Sequence, residues 1–76
     1  MGSKYPVLSP EEIISVLKKA GFKFISQRGS HVKYSKEGSP TRIAIIPMHN
    51  EVAKGTLKSI IEQAGMTLED LLELLK

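Results

Sequence analysis

Two histidines, one of them flanked by cations, are the side chains of this sequence best suited to move a proton. His31 sits in Arg28-Gly29-Ser30-His31-Val32-Lys33, directly after a Gly-Ser turn signal. His49 closes Pro47-Met48-His49, ahead of Lys54-Gly55-Thr56-Leu57-Lys58. With no cysteine in 76 residues, imidazole is the group able to exchange a proton near neutral pH, since it ordinarily titrates at about 6.5. An imidazole at the tip of a basic hairpin points to a site that holds a polyanion and moves a proton. RNA is the natural candidate.

Composition narrows the field. A chain of 76 residues is expected to form one domain over 1–76, with 1–7 as an N-terminal extension, and a core this small stabilises it by only a few kcal/mol. The absence of cysteine excludes a disulfide framework and a thiolate zinc site. Two histidines without a spaced carboxylate cluster argue against a dedicated metal site, and no cofactor is expected. The apolar runs are short, so no membrane span or hydrophobic leader is expected and the cytoplasm is the default location. Charge is uneven along the chain. Residues 1–50 carry eight Lys/Arg and three Glu, a balance of +5, whereas 51–76 carry three Lys and five Asp/Glu, a balance of −2. Between Lys18 and Arg42 stand seven cations and one anion, Glu37. Such a basic segment is the electrostatic footprint of nucleic-acid binding.

These residues need elements to position them. Ser9-Pro10-Glu11-Glu12 opens a helix: Ser9 caps, Pro10 suits the first helical position and Glu12 completes a capping box, with Leu8 and Ile13 spaced as a hydrophobic staple. Ile13, Val16, Leu17 and Ala20 recur at helical spacing, and Gly21 ends the run. Two strand-like stretches, 22–28 and 31–36, flank Gly29-Ser30. Glycine first in a two-residue loop signals a type II′ hairpin. A third strand, 42–46, stops at Pro47. Leu57, Ile60, Ile61 and Ala64 form a helical stripe closed by Gly65. Thr67 then caps a last helix, with Met66 and Leu71 as its staple and Leu68, Leu71, Leu72 and Leu75 as its buried face. The expected fold is α+β, in the order α-β-β-β-α(-α): a three-stranded antiparallel sheet with helices on one face. In the second strand Val32 and Tyr34 then face the helices, while His31, Lys33 and Ser35 face solvent. Phe22 and Phe24 read as core, leaving little aromatic surface for stacking single-stranded bases.

The order helix, Gly21-Phe22, Gly29-Ser30-His31, Pro47-x-His49, Gly55-Thr56-Leu57 and a capped leucine helix resembles the HicA, or YcfA-like, family, from about Ser9 to Leu75. The resemblance implies a fold similar to the double-stranded RNA-binding domain. It also implies an mRNA-cleaving toxin that needs no metal, held by a cognate HicB-like antitoxin. The histidine of the family's Gly-Ser-His motif is taken as catalytic, which here is His31.

The chemistry suits the residues. RNA carries its own nucleophile, the ribose 2′-hydroxyl, so a metal-free ribonuclease needs proton transfer and charge stabilisation. His31 is the expected general base, with Lys33 and Arg28 stabilising the phosphorane charge and Gly29 and Ser30 placing the ring. The general acid stays unassigned. His49 reads as a structural loop residue that caps or pins the next helix, so its loss should affect stability more than activity. Lys54, Gly55 and Lys58 stand at a helix start, where free N–H groups and the helix dipole favour phosphate; the plainer alternative is a capped helix with two solvated lysines. The free protein is expected to be monomeric. Two other readings stay open: a non-catalytic module binding double-stranded RNA, and a protein whose basic face meets an acidic partner.

Overall fold

The computed structural model describes residues 5–76, so the first four residues of the expected extension lie outside the described part. The order is α1 (Pro10–Lys19), β1 (Lys23–Arg28), β2 (His31–Lys36), β3 (Arg42–Pro47), α2 (Lys54–Gln63) and α3 (Leu68–Leu75). The α+β layout matches the expectation.

Local chemistry accounts for most boundaries. At α1 the Glu12 N–H donates to Ser9 Oγ at 3.2 Å and the Ser9 N–H to Glu12 Oε1 at 2.9 Å, with Pro10 in the first turn. Thr67 and Asp70 make the same reciprocal pair at α3. The first two helices end in Schellman motifs, in which the second residue past the cap donates back to the last turn. The Phe22 N–H reaches the Leu17 carbonyl at 2.9 Å, and the Met66 N–H reaches that of Ile61 at 2.8 Å. Because Phe22 serves this motif, β1 starts at Lys23.

Gly65 takes a φ of +71°, and a Cβ built there would stand 2.8 Å from Arg42 Cζ. The exposed arginine can swing aside, but the left-handed backbone remains strained for any other residue. Gly65→Ala is therefore expected to cost about 1–2 kcal/mol, lowering the thermal midpoint by roughly 4–8 °C for each kcal/mol in a domain of this size. A calorimetric scan of the two proteins checks this.

The strands form one antiparallel sheet in the order β1-β2-β3. Val32, Tyr34, Ala44 and Ile46 lie on one face and join Ile13, Val16 and Leu17 of α1 and Leu57, Ile60 and Ile61 of α2 in a single core. The other face is open, presenting His31, Lys33, Ile43 and Ile45 to solvent. The outer edge of β3 is covered where the Ile45 N–H donates to Gln63 Oε1 at 3.3 Å.

Two core expectations are corrected. Phe24 is 55% exposed, because α1 and α2 pack on β3 and leave the edge strand β1 uncovered. Its ring leans edge-on against Tyr34, with centroids 5.9 Å apart. Leu72 is 41% exposed while Leu71 is fully buried. The short α3 meets α1 along a narrow stripe, and Leu74 rather than Leu72 joins Leu68 and Leu75 as partly buried neighbours of the core.

Candidate active site

The hairpin tip sets the geometry. Gly29 has φ +60° and Ser30 has none of the positive values a type I′ turn requires, which is the pattern of a type II′ turn. The Gln27 side-chain amide donates to the Gly29 carbonyl at 3.2 Å and steadies the loop. Arg28 and His31 are thereby directly paired across β1 and β2.

That pairing depends on a feature strict alternation misses. The β1–β2 register slips between Phe24 and Ser26, leaving Ile25 as the extra residue of a β-bulge. Beyond the bulge Ser26 pairs with Lys33 and Arg28 with His31, so Ser26 and Arg28 point to the open face. Unbroken alternation from Lys23 would have sent both toward the helices. Ser26, Arg28, His31, Val32, Lys33 and Ile45 then line an open depression of about 470 Å³. Arg28, His31 and Lys33 are all exposed. Among the described residues neither cation has a carboxylate partner within salt-bridge distance. A phosphate therefore meets two cations without displacing a protein anion.

The second histidine approaches the first from beside the depression, which it does not line. The ladder continues past Pro47, where the Met48 N–H donates to the Ser30 carbonyl at 2.6 Å. This bond ties the loop after β3 to the hairpin tip. The His49 ring then stands edge-to-face with His31, centroids 6.4 Å apart at 84°. His49 does not cap the following helix: the N-cap of α2 is Ala53, with no side-chain hydrogen bond. Sequence alone sets His49 apart from the site because nothing local signals a backbone bond between residues 48 and 30.

Lys54, Gly55 and Lys58 form a separate group. They are exposed at the start of α2, which packs on the opposite face of the sheet, and none lines the depression. Ala53 offers no side-chain cap to the first-turn N–H groups of α2, which lack intrahelical partners. The residues expected to bind RNA thus fall into a cluster around His31 and a second one at α2.

The sequence model of the HicA toxin of bacterial toxin–antitoxin systems matches residues 10–66. The chain belongs to the HicA toxin family. The matched stretch runs from the first residue of α1 to just past Gly65, taking in both histidines, the bulged hairpin and α2 and leaving out α3. A comparison with curated proteins returned no match. Family membership gives this HicA chain a toxin's role, with a cognate antitoxin as partner. Among the described residues no helix is long and apolar enough to cross a membrane.

Proposed function

We propose that this HicA chain is an endoribonuclease that cleaves mRNA without a metal ion, with His31 as general base on the ribose 2′-hydroxyl. The observation that carries this reading is the exposed imidazole beside two cations in one depression, neither of them ion-paired among the described residues. His31 removes the 2′-hydroxyl proton and the freed oxygen attacks the adjacent phosphorus. Arg28 and Lys33 hold the non-bridging oxygens as their charge rises, an effect worth most when the cations are already in place. The Gly29-Ser30 turn lets the phosphate approach the backbone closely. The products are a 2′,3′-cyclic phosphate and a 5′-hydroxyl. A HicB-like antitoxin would silence the enzyme by covering this basic, partly apolar face.

The test is incubation of purified protein with a defined single-stranded RNA and a hairpin RNA in EDTA, reading the product ends. Cyclic phosphate or 3′-phosphate ends support the proposal. Salt-sensitive binding without cleavage favours a double-stranded RNA-binding module, for which the uncapped α2 terminus with Lys54 and Lys58 is the supporting feature.

The two clusters also separate in binding. Replacing both Arg28 and Lys33 with alanine is expected to flatten the log–log salt dependence of RNA affinity by about 0.7 for each single-strand phosphate that is no longer neutralised. Filter binding between low and moderate salt measures this. An unchanged slope in that variant, with a flatter one in Lys54→Ala/Lys58→Ala, would place the phosphate track on α2 instead.

A further inference from the structure

Transfer to phosphorus needs two proton movements, and the scheme above supplies one. As the 2′-oxygen bonds to phosphorus, the bond from phosphorus to the 5′-oxygen of the next nucleotide breaks. That oxygen must gain a proton to leave as a hydroxyl. Besides His31, the polar side chains lining the depression are a guanidinium, an ammonium and a hydroxyl, none of them a ready proton donor near neutral pH as a class, and the nearby imidazole is that of His49, beside the depression. An imidazolium is suited to the task.

We propose that His49 is the general acid of the reaction, donating its proton to the departing 5′-oxygen while His31 takes the proton of the 2′-hydroxyl. This rests on the ribonuclease reading. Three observations carry it. The rings stand 6.4 Å apart, on the scale of two hydrogen-bond reaches of about 3 Å each, so one phosphate group can touch both. Both rings are exposed, so a phosphate can reach each of them from solvent. His49 is exposed and does not cap α2, yet its backbone is pinned to the hairpin tip by the Met48–Ser30 bond at 2.6 Å. A loop fastened there places the ring without enclosing it.

The protons balance. After cleavage His31 is protonated and His49 neutral. In hydrolysis of the cyclic phosphate the roles reverse: His49 takes a proton from water, the hydroxide oxygen bonds to phosphorus, and the bond to the 2′-oxygen breaks as His31 returns its proton. The 3′-phosphate forms and both rings regain their starting states.

A leaving group that needs no proton isolates this role. The probe is an oligonucleotide whose scissile 5′-oxygen is replaced by sulfur, which departs as a thiolate. It is compared with the ordinary oligonucleotide in EDTA, using wild type, His49→Ala, His49→Gln and His31→Ala. Both His49 variants are expected to lose ~10²–10⁴-fold on the oxygen substrate, the usual worth of a positioned acid, and to cleave the sulfur substrate at close to the wild-type rate. His31→Ala is expected to be slow on both. Equal losses on both substrates, or no loss on either, overturn the assignment of His49 while leaving His31 in place. Failure of the wild type on both substrates removes the ribonuclease reading, and this proposal with it.

Discussion

Replacing His31 with alanine is expected to lower RNA cleavage by ~10²–10⁴-fold, the contribution of a well-placed general base, and to abolish growth arrest on expression. Stability should stay within about 0.5 kcal/mol of wild type, as for other exposed positions away from the core. His31 faces solvent on the open side of the sheet, and its core neighbour on β2 is Val32, so removing the imidazole opens no cavity. RNA affinity should persist because Arg28 and Lys33 remain in the depression. The combination separates chemistry from folding and from binding. Melting, filter binding and single-turnover cleavage on the same preparation read the three quantities. A His31→Ala protein that still cleaves at the wild-type rate would end the case for a histidine-based reaction.

How much of this is legible in the sequence depends on the range of the interaction involved. Capping boxes, helix-ending glycines and the Gly29-Ser30 hairpin are encoded within about five residues, and each stands where its residues place it. The solvent-facing position of His31 and Lys33 follows from period-two alternation in β2, anchored by the buried Val32 and Tyr34. What escapes is set by distant partners. Phe24 has the apolar character of a core residue, but the helices that would cover it sit over β3. The bulge at Ile25 turns Arg28 toward His31, and nothing in Lys23-Phe24-Ile25-Ser26-Gln27-Arg28 marks where alternation breaks. The approach of His49 rests on one backbone bond across the sheet edge. The exposed place of the proposed base is thus readable, while its immediate neighbourhood is decided by register and loop docking.

The same distinction yields the largest expected stability effect. The family match stops at residue 66, which invites treating α3 as an appendage. The packing says otherwise. Leu71 is fully buried in the common core, α3 packs on α1, and Lys19 Nζ donates to the Leu74 carbonyl at 2.9 Å, closing the helix with a cation at its negative end. Leu71→Ala is expected to cost about 2–5 kcal/mol through lost burial and the cavity left behind. A domain of this length has only about 3–5 kcal/mol from its core, so most molecules of the variant should be unfolded at 37 °C. Leu72→Ala, one residue along but 41% exposed, should change stability by less than about 1 kcal/mol. Urea titrations of the pair measure the difference. Both substitutions remove the same side chain from the same helix, so propensity and composition cancel and burial remains. Equal midpoints would mean that α3 does not dock in solution. A large gap would make α3 part of the folded unit, and any loss of cleavage in Leu71→Ala would then track the unfolded fraction rather than the chemistry at His31.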